Sequence, residues 1–311
     1  GAANITQSST SPDGFQSSLK VDVTTADTSL TGGEYFFIDQ RIEANNIHHA
    51  AYGNSGAKTM TLSFYVRSNK TGTYNVHLYN PSSTRQLSRS YTINSADTWE
   101  RKILTIPGDT SGGLTTGTGA GMRCNWYLAA GTSYTSGSNQ ATWSAYSVGN
   151  TAPSNVNLLD STSNEWYLTG VQLEIGSEAT PYEHRSFGEE LQLCQRYYYQ
   201  HDPENSGGTD SFCWAGKGAG GSGVDFNFIL PCPLRASPTI TLDTSGGGNV
   251  RATRGTSGNS TSNNTPTVSG FNTHYNVICL RQTGHSSMSD NVVSMVSLSS
   301  SGVVLEFSSE L

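Results

Sequence analysis

Three tyrosines, Tyr65, Tyr79 and Tyr127, stand in the same kind of sequence neighbourhood. Leu62, Phe64 and Val66 alternate with Ser63, Tyr65 and Arg67. Tyr74, Val76 and Leu78 alternate with Asn75, His77 and Tyr79, and Met122, Cys124, Trp126 and Leu128 alternate with Arg123, Asn125 and Tyr127. Period-two alternation marks a strand with one buried and one wet face. It puts Tyr65, Tyr79, Tyr127, Arg67, His77, Arg123 and Asn125 on the wet phase of three strands. If those strands share a sheet, flat rings and polar forks share one surface. Sugars need this mixture, with rings for their apolar C–H faces and amide and guanidinium groups for their hydroxyls. The plainer alternative is that these side chains decorate a half-buried sheet or face another subunit.

Other reactive residue types form no comparable pattern. His48 and His49 are adjacent, so in a strand they would point to opposite faces and could not chelate together. His201-Asp202-Pro203-Glu204 could touch a cation or simply be solvated. Asp160, Glu165 and Glu174 carry the oxygens that a structural Ca²⁺ takes, and no other cofactor is expected. The chain has no nucleophile elbow, H-E-x-x-H, P-loop or dinucleotide fingerprint. Gly216 to Gly223 is Gly-rich, but with no following helix or Lys-Ser/Thr pair it reads as a loop. No enzymatic activity is expected. The five cysteines, Cys124, Cys194, Cys213, Cys232 and Cys279, are odd in number and never spaced C-x-x-C. They read as free thiols packed as small hydrophobes, in a chain that folds in a reducing cytosol.

The elements that must position these residues are strands. Gly, Pro, Asn and Ser separate the alternating runs, which predicts a sandwich of two antiparallel sheets over the first ~185 residues. Trp166 and Leu168 share one phase while Val171, Leu173 and Ile175 share the other. A phase flip across Gly170 predicts a β-bulge. Ser186 with Glu189 forms a capping box that starts a short helix, with Leu191 and Cys194 or Gln195 on one face. Tyr197-Tyr198-Tyr199 then begins a second set of strands. Val224, Phe226, Phe228 and Leu230 alternate, and runs at Thr239 to Leu242, Tyr275 to Arg281, Val292 to Leu298 and Val303 to Phe307 follow. The Ser/Asn/Thr tract Thr256 to Pro266 has no period and reads as a long mobile loop. The expectation is an all-β protein: a jelly-roll sandwich over residues 1–185, then a short connecting helix and a smaller antiparallel β domain over 186–311.

Composition agrees. Of the 311 residues, 34% are apolar and 13% charged, both below the usual share of a soluble domain. Ser, Thr, Gly and Asn fill the gap, as in a β protein with many turns. The net charge of -7, with scattered Lys and Arg, argues against nucleic acid as a partner. No run approaches the ~20 apolar residues of a membrane span. The chain starts at Gly1 rather than Met, so a leader or upstream region is expected to have preceded it.

Several stretches resemble tail-fibre and other minor structural proteins of tailed bacteriophages, marine and cyanobacterial ones especially. They are Thr61-Leu62-Ser63-Phe64-Tyr65-Val66-Arg67-Ser68 with Thr71-Gly72-Thr73-Tyr74, then Thr98-Trp99-Glu100-Arg101-Lys102 through Ile106-Pro107-Gly108-Asp109-Thr110-Ser111-Gly112, and most specifically Thr169-Gly170-Val171-Gln172-Leu173-Glu174-Ile175-Gly176 with Ala179-Thr180-Pro181-Tyr182-Glu183-His184-Arg185-Ser186, continuing through Glu189-Glu190-Leu191-Gln192-Leu193-Cys194-Gln195-Arg196-Tyr197-Tyr198. The first two also look like the jelly roll of carbohydrate-binding modules. The resemblance covers roughly residues 15 to 200 and brings no catalytic motif. It implies a virion surface protein assembled in the host cytoplasm, a tail fibre or other appendage. Its partners would be itself, as a homotrimer, other virion proteins and host cell-surface polysaccharide. A head-decoration or architectural virion part, or a glycan-degrading module, is the alternative.

Overall fold

The computed structural model describes residues 1–201, 212–218, 223–243, 249–254, 259–263, 267–274, 277–283, 293–299 and 304–310. The chain divides into two compact units, Gly1–His184 and Arg185–Glu310.

The first unit is a jelly-roll β-sandwich. Its strands are β1 (Ala2–Ser8), β2 (Ser18–Thr25), β3 (Tyr35–Glu43), β4 (Met60–Ser68), β5 (Gly72–Asn80), β6 (Arg85–Ile93), β7 (Glu100–Ile106), β8 (Ala120–Ala130), β9 (Ser144–Ala145) and β10 (Glu165–Ile175). Two one-turn helices, α1 (Ala44–Ile47) and α2 (Thr132–Thr135), sit in the connections. One sheet runs β1-β2-β10-β4-β7 and the other β3-β8-β5-β6-β9, with antiparallel pairing throughout. The core lies between them. Phe64 and Trp166 come from the first sheet, Tyr74, Leu78, Met122 and Trp126 from the second, and all are buried in one cluster. Strand alternation thus does what it should: one phase fills the core and the other leaves it on the far side of each sheet.

The predicted bulge is present. Thr169 pairs with Tyr65 and Gln172 with Ser63, so β10 carries one more residue than β4 across Gly170. Gly170 has φ +58°, a left-handed conformation that costs Gly little. The bulge turns Leu173 back onto the core.

The second unit opens with α3 (Phe187–Gln195), started by the Ser186–Glu189 capping box. Strands β11 (Tyr198–His201), β12 (Phe212–Gly218), β13 (Val224–Ile229), β14 (Thr239–Asp243), β15 (Asn249–Arg254), β16 (Asn259–Asn263), β17 (Thr267–His274), β18 (Val277–Thr283), β19 (Val293–Ser299) and β20 (Val304–Ser308) follow. They form a three-stranded sheet, β11-β20-β14, and a seven-stranded one, β16-β15-β19-β12-β13-β18-β17. Val224, Phe226, Phe228, Leu280 and Phe307 make the core.

Two expectations are corrected here. The tract Thr256 to Pro266 is not one loop, because Asn259–Asn263 is β16, paired with β15 from Val250↔Asn263 to Arg254↔Asn259. Backbone pairing overrides the missing side-chain period. Nor is Gly216 a loop residue; it lies in β12, opposite Phe226 and Ser294. Residues 219–222 lie outside the described residues. Among the described residues no helix is long and apolar enough to cross a membrane.

Candidate functional site

The outer face of the β3-β8-β5-β6-β9 sheet carries three cross-strand rows. Phe37, Tyr127 and Asn75 form the first, and Asp39, Asn125, His77 and Ser88 the second. Arg41, Arg123, Tyr79 and Gln86 form the third. Directly opposed residues in a ladder sit side by side on one face, so the register alone gathers His77, Tyr79, Arg123, Asn125 and Tyr127. Tyr134 from α2, Tyr146 beyond β9, and Tyr35 and Phe37 from β3 complete a cleft of about 260 Å³.

Rings run across it without a break. Tyr35 lies 5.1 Å from Tyr134, Tyr134 6.4 Å from Tyr127, and Tyr127 6.2 Å from His77. His77 stacks on Tyr79 at 6.0 Å and meets Tyr146 edge-on at 6.3 Å. Tyr35 also stacks on Phe37 at 5.4 Å with the planes 10° apart. Tyr35 and Tyr146, 53% and 43% exposed, are the open rings.

The floor is drier than a wet phase suggests. His77, Asn125 and Tyr127 are all buried. Burial, with a smaller contribution from the Arg123 charge, pushes the His77 imidazole down to about 4, so it is neutral near pH 7. Gln86 donates through Nε2 to the Ser147 carbonyl at 2.9 Å, which leaves its Oε1 to accept from His77 Nε2 at 3.1 Å. The proton therefore sits on Nε2, and Nδ1 is a bare acceptor. Neither His77 Nδ1 nor Asn125 Oδ1 has a hydrogen-bond partner. Arg123 grips Asp39 at 2.7 and 3.3 Å, and Arg41 reaches the same carboxylate at 2.9 Å. Burial also raises the Tyr127 phenol above its ordinary value, so it stays protonated.

Tyr65 and Arg67 are not in the cleft. The condition that the three strands share a sheet is not met: β5 and β8 do, but β4 belongs to the opposite sheet. There Tyr65 packs against Phe15 at 5.3 Å, beside Tyr182 and His184. Arg67 pairs with Asp97 at 2.8 Å and lies 5.0 Å over the Tyr167 ring. Alternation gives a residue's side of its own strand but not the sheet to which that strand belongs.

Sequence reasoning overlooks Tyr35, Phe37, Tyr134 and Tyr146. The first two lie on β3, where Phe36, Ile38 and Ile42 face the core and Tyr35, Phe37, Asp39 and Arg41 the other side, but its opening residues are apolar on both phases and show no alternation. Tyr134 and Tyr146 sit in connections with no period to read.

The carboxylates suggested for a cation have other partners. Asp160 pairs with Lys70 and accepts from Asn164, Glu165 pairs with Lys20, and Glu174 accepts from Thr180 and Gln172. Among the described residues no group of three His, Cys, Asp or Glu side chains is arranged to hold a metal ion. His48 and His49 are exposed in a single 3₁₀ turn. Asp202 to Glu204 lie outside the described residues. Cys124 and Cys232 are buried free thiols, with burial pushing Cys124 up to about 12. Cys194, by contrast, is exposed.

No family model matches the sequence, and no curated protein matches it. Among solved structures, a family 4 carbohydrate-binding module described as "CBM4 structure and function" is similar at 12% identity and a TM-score of 0.28, over 56% of this chain and 78% of its own. The tandem CBM22-1–CBM22-2 modules of Paenibacillus barcinonensis Xyn10C are similar at 8% identity and a TM-score of 0.27, over 99% of this chain and 92% of theirs. The reading of the cleft rests on its own geometry.

Proposed function

We propose that the first unit is a glycan-binding module whose site is the tyrosine-lined cleft on the β3-β8-β5-β6-β9 sheet. One observation carries the reading: a single concavity combines an unbroken run of rings with buried polar groups that have spare hydrogen-bonding capacity. Rings cover the apolar faces of a pyranose, and the polar floor answers its hydroxyls. The same lining argues for binding over hydrolysis. Glycosidases work with two carboxyl groups flanking the bond they cut, and no carboxylate lines this cleft. A glycan array probed with the intact chain tests the reading. Retention weakened in Tyr79→Ala and Tyr146→Ala but unchanged in Tyr65→Ala supports it; equal weakening in all three, or none, overturns it.

The sequence resemblance supports a setting for this module. It would be part of a tail fibre or other appendage of a bacteriophage virion, would assemble as a homotrimer, and would meet host cell-surface polysaccharide. Electron microscopy of parent particles labelled with antibody to this chain tests the setting. Label on tail appendages supports it; label on the head favours a decoration protein instead.

A further inference from the structure

We infer that the cleft selects uncharged, hydroxyl-rich saccharide and discriminates against uronates, sulfated sugars and other anionic glycans. The inference rests on the cleft being a glycan site and specifies its ligand class. It comes from the middle row of the sheet face, Asp39, Asn125 and His77, held side by side by the ladder.

Two buried atoms of that row are acceptors without a partner, Asn125 Oδ1 and His77 Nδ1, while the Asp39 carboxylate beside them is held by Arg123 and Arg41. A buried acceptor left unmatched is costly, and it is relieved only by a donor. A sugar hydroxyl can donate, whereas a carboxylate or sulfate oxygen cannot.

The basic residues nearby do not reverse this preference. Arg123 is committed to Asp39 in a two-pronged pair, which satisfies its fork with a carboxylate from within the protein. The Arg123 charge is thus matched within the protein, so an anionic sugar gains no unpaired cation there and brings its own charge close to the Asp39 carboxylate.

His77 lies among rings, stacked on Tyr79 and edge-on to Tyr127 and Tyr146. Tyr146, 43% exposed and 6.3 Å from His77, follows a strand of only two residues. Both acceptor atoms are buried, so a hydroxyl reaches them only when the cover over them moves. Ligand entry therefore exchanges an aromatic cover for hydroxyl donors plus a new stacking partner.

Affinity electrophoresis of the intact chain tests the inference. The gels contain neutral polysaccharides (hydroxyethylcellulose, galactomannan) or acidic ones (alginate, polygalacturonate), each run with wild type and Tyr79→Ala. Oligosaccharides of the best neutral ligand are then compared with deoxyfluoro analogues, in which fluorine accepts but cannot donate. Retardation by a neutral gel only, with a loss of about tenfold or more at one or more fluorinated positions that Asn125→Ala makes smaller, supports the inference. Should Asn125→Ala fail to fold, the fluorinated ligands still decide the point on the wild-type protein. Retardation by acidic gels, weakened by Tyr79→Ala, overturns the selectivity while leaving the cleft as the glycan site. Fluorinated analogues that bind as well as their parents overturn the donor argument. Retardation by no gel, or retardation indifferent to Tyr79→Ala, overturns the cleft reading and this inference with it.

Discussion

His77 shows how one residue can combine strand register, burial and hydrogen bonding. Its ring stacks on Tyr79 from its own strand, faces Arg123 and Tyr127 from β8, bonds Gln86 from β6 and meets Tyr146 beyond β9. With its pKa lowered to about 4, the native state resists a proton that the unfolded chain accepts below about 6.5. The unfolded state then binds more protons between those values, so stability falls as pH drops from about 6.5 to 4 and levels off below. The displacement corresponds to roughly 3 kcal/mol. Melting temperatures of wild type and His77→Gln at pH 7 and pH 4.5 should therefore differ, with wild type losing more on acidification; equal losses would refute the assignment. Stacking predicts a smaller effect at Tyr79. Tyr79→Ala should weaken glycan binding roughly 2–12-fold, from ~0.5–1.5 kcal/mol per ring contact, as read by titration calorimetry. Five residues of this cleft were legible in the sequence, because alternation fixes the outward phase of β5 and β8. Tyr65 and Arg67 misled for the same reason: they obey the phase on a strand that pairs elsewhere.

Among the elements, the β-bulge in β10 carries the most testable local argument. Gly170 sits at φ +58°, and a Cβ there would lie 2.6 Å from Phe15 Cζ and 3.0 Å from Tyr65 Cδ2. The bulge thus fits under the cluster of Phe15, Tyr65, Tyr182 and His184, while Gln172 and Glu174 hold the Thr180–Pro181 segment across the same sheet. Gly170→Ala should destabilise the protein by roughly 1–3 kcal/mol, since a non-Gly residue in this region is strained before any clash is counted. A drop in melting temperature of ~2–4 °C per kcal/mol is the expected readout, and an unchanged melt would show that the aromatic cluster yields. The bulge was legible because a period-two pattern cannot change phase without an extra residue. The helix start at Ser186 was legible through its capping box. Strand β16 was not, for its Asn-Ser-Thr-Ser-Asn run has no apolar phase and shows itself through main-chain pairing to β15. β3 escaped notice because Tyr35-Phe36-Phe37-Ile38 is apolar on both phases, and a strand with rings on both faces looks like neither half-buried sheet nor loop.

At the scale of the whole molecule, α3 asks for something that the described residues of the second unit do not supply. Its nine residues include none that is buried. Phe187 is 81% exposed, Leu191 43% and Leu193 46%, and Cys194 is exposed as well. Phe187, Leu191 and Cys194 follow the i, i+4, i+7 spacing of one helical face. A helix shorter than about 12 residues is marginal in water without packing, and a capping box contributes only on the order of 1 kcal/mol. An apolar stripe on so short a helix is best covered by another copy of itself, because closed symmetry buries the stripe of every subunit without leaving a new one open. The proposed homotrimer meets that need. It would also bear on the proposed glycan site: three weak sites on one trimer would raise avidity far above that of a single site. Light scattering of the intact chain at micromolar concentration should give three times 33.2 kDa. The double variant Phe187→Asp, Leu191→Asp should move the mass toward the monomer and lower retention on polysaccharide surfaces, while affinity for a soluble oligosaccharide stays unchanged. A monomeric wild type would refute the trimer. A trimeric double variant would show that assembly is held by other contacts, and would leave α3 without its proposed partner.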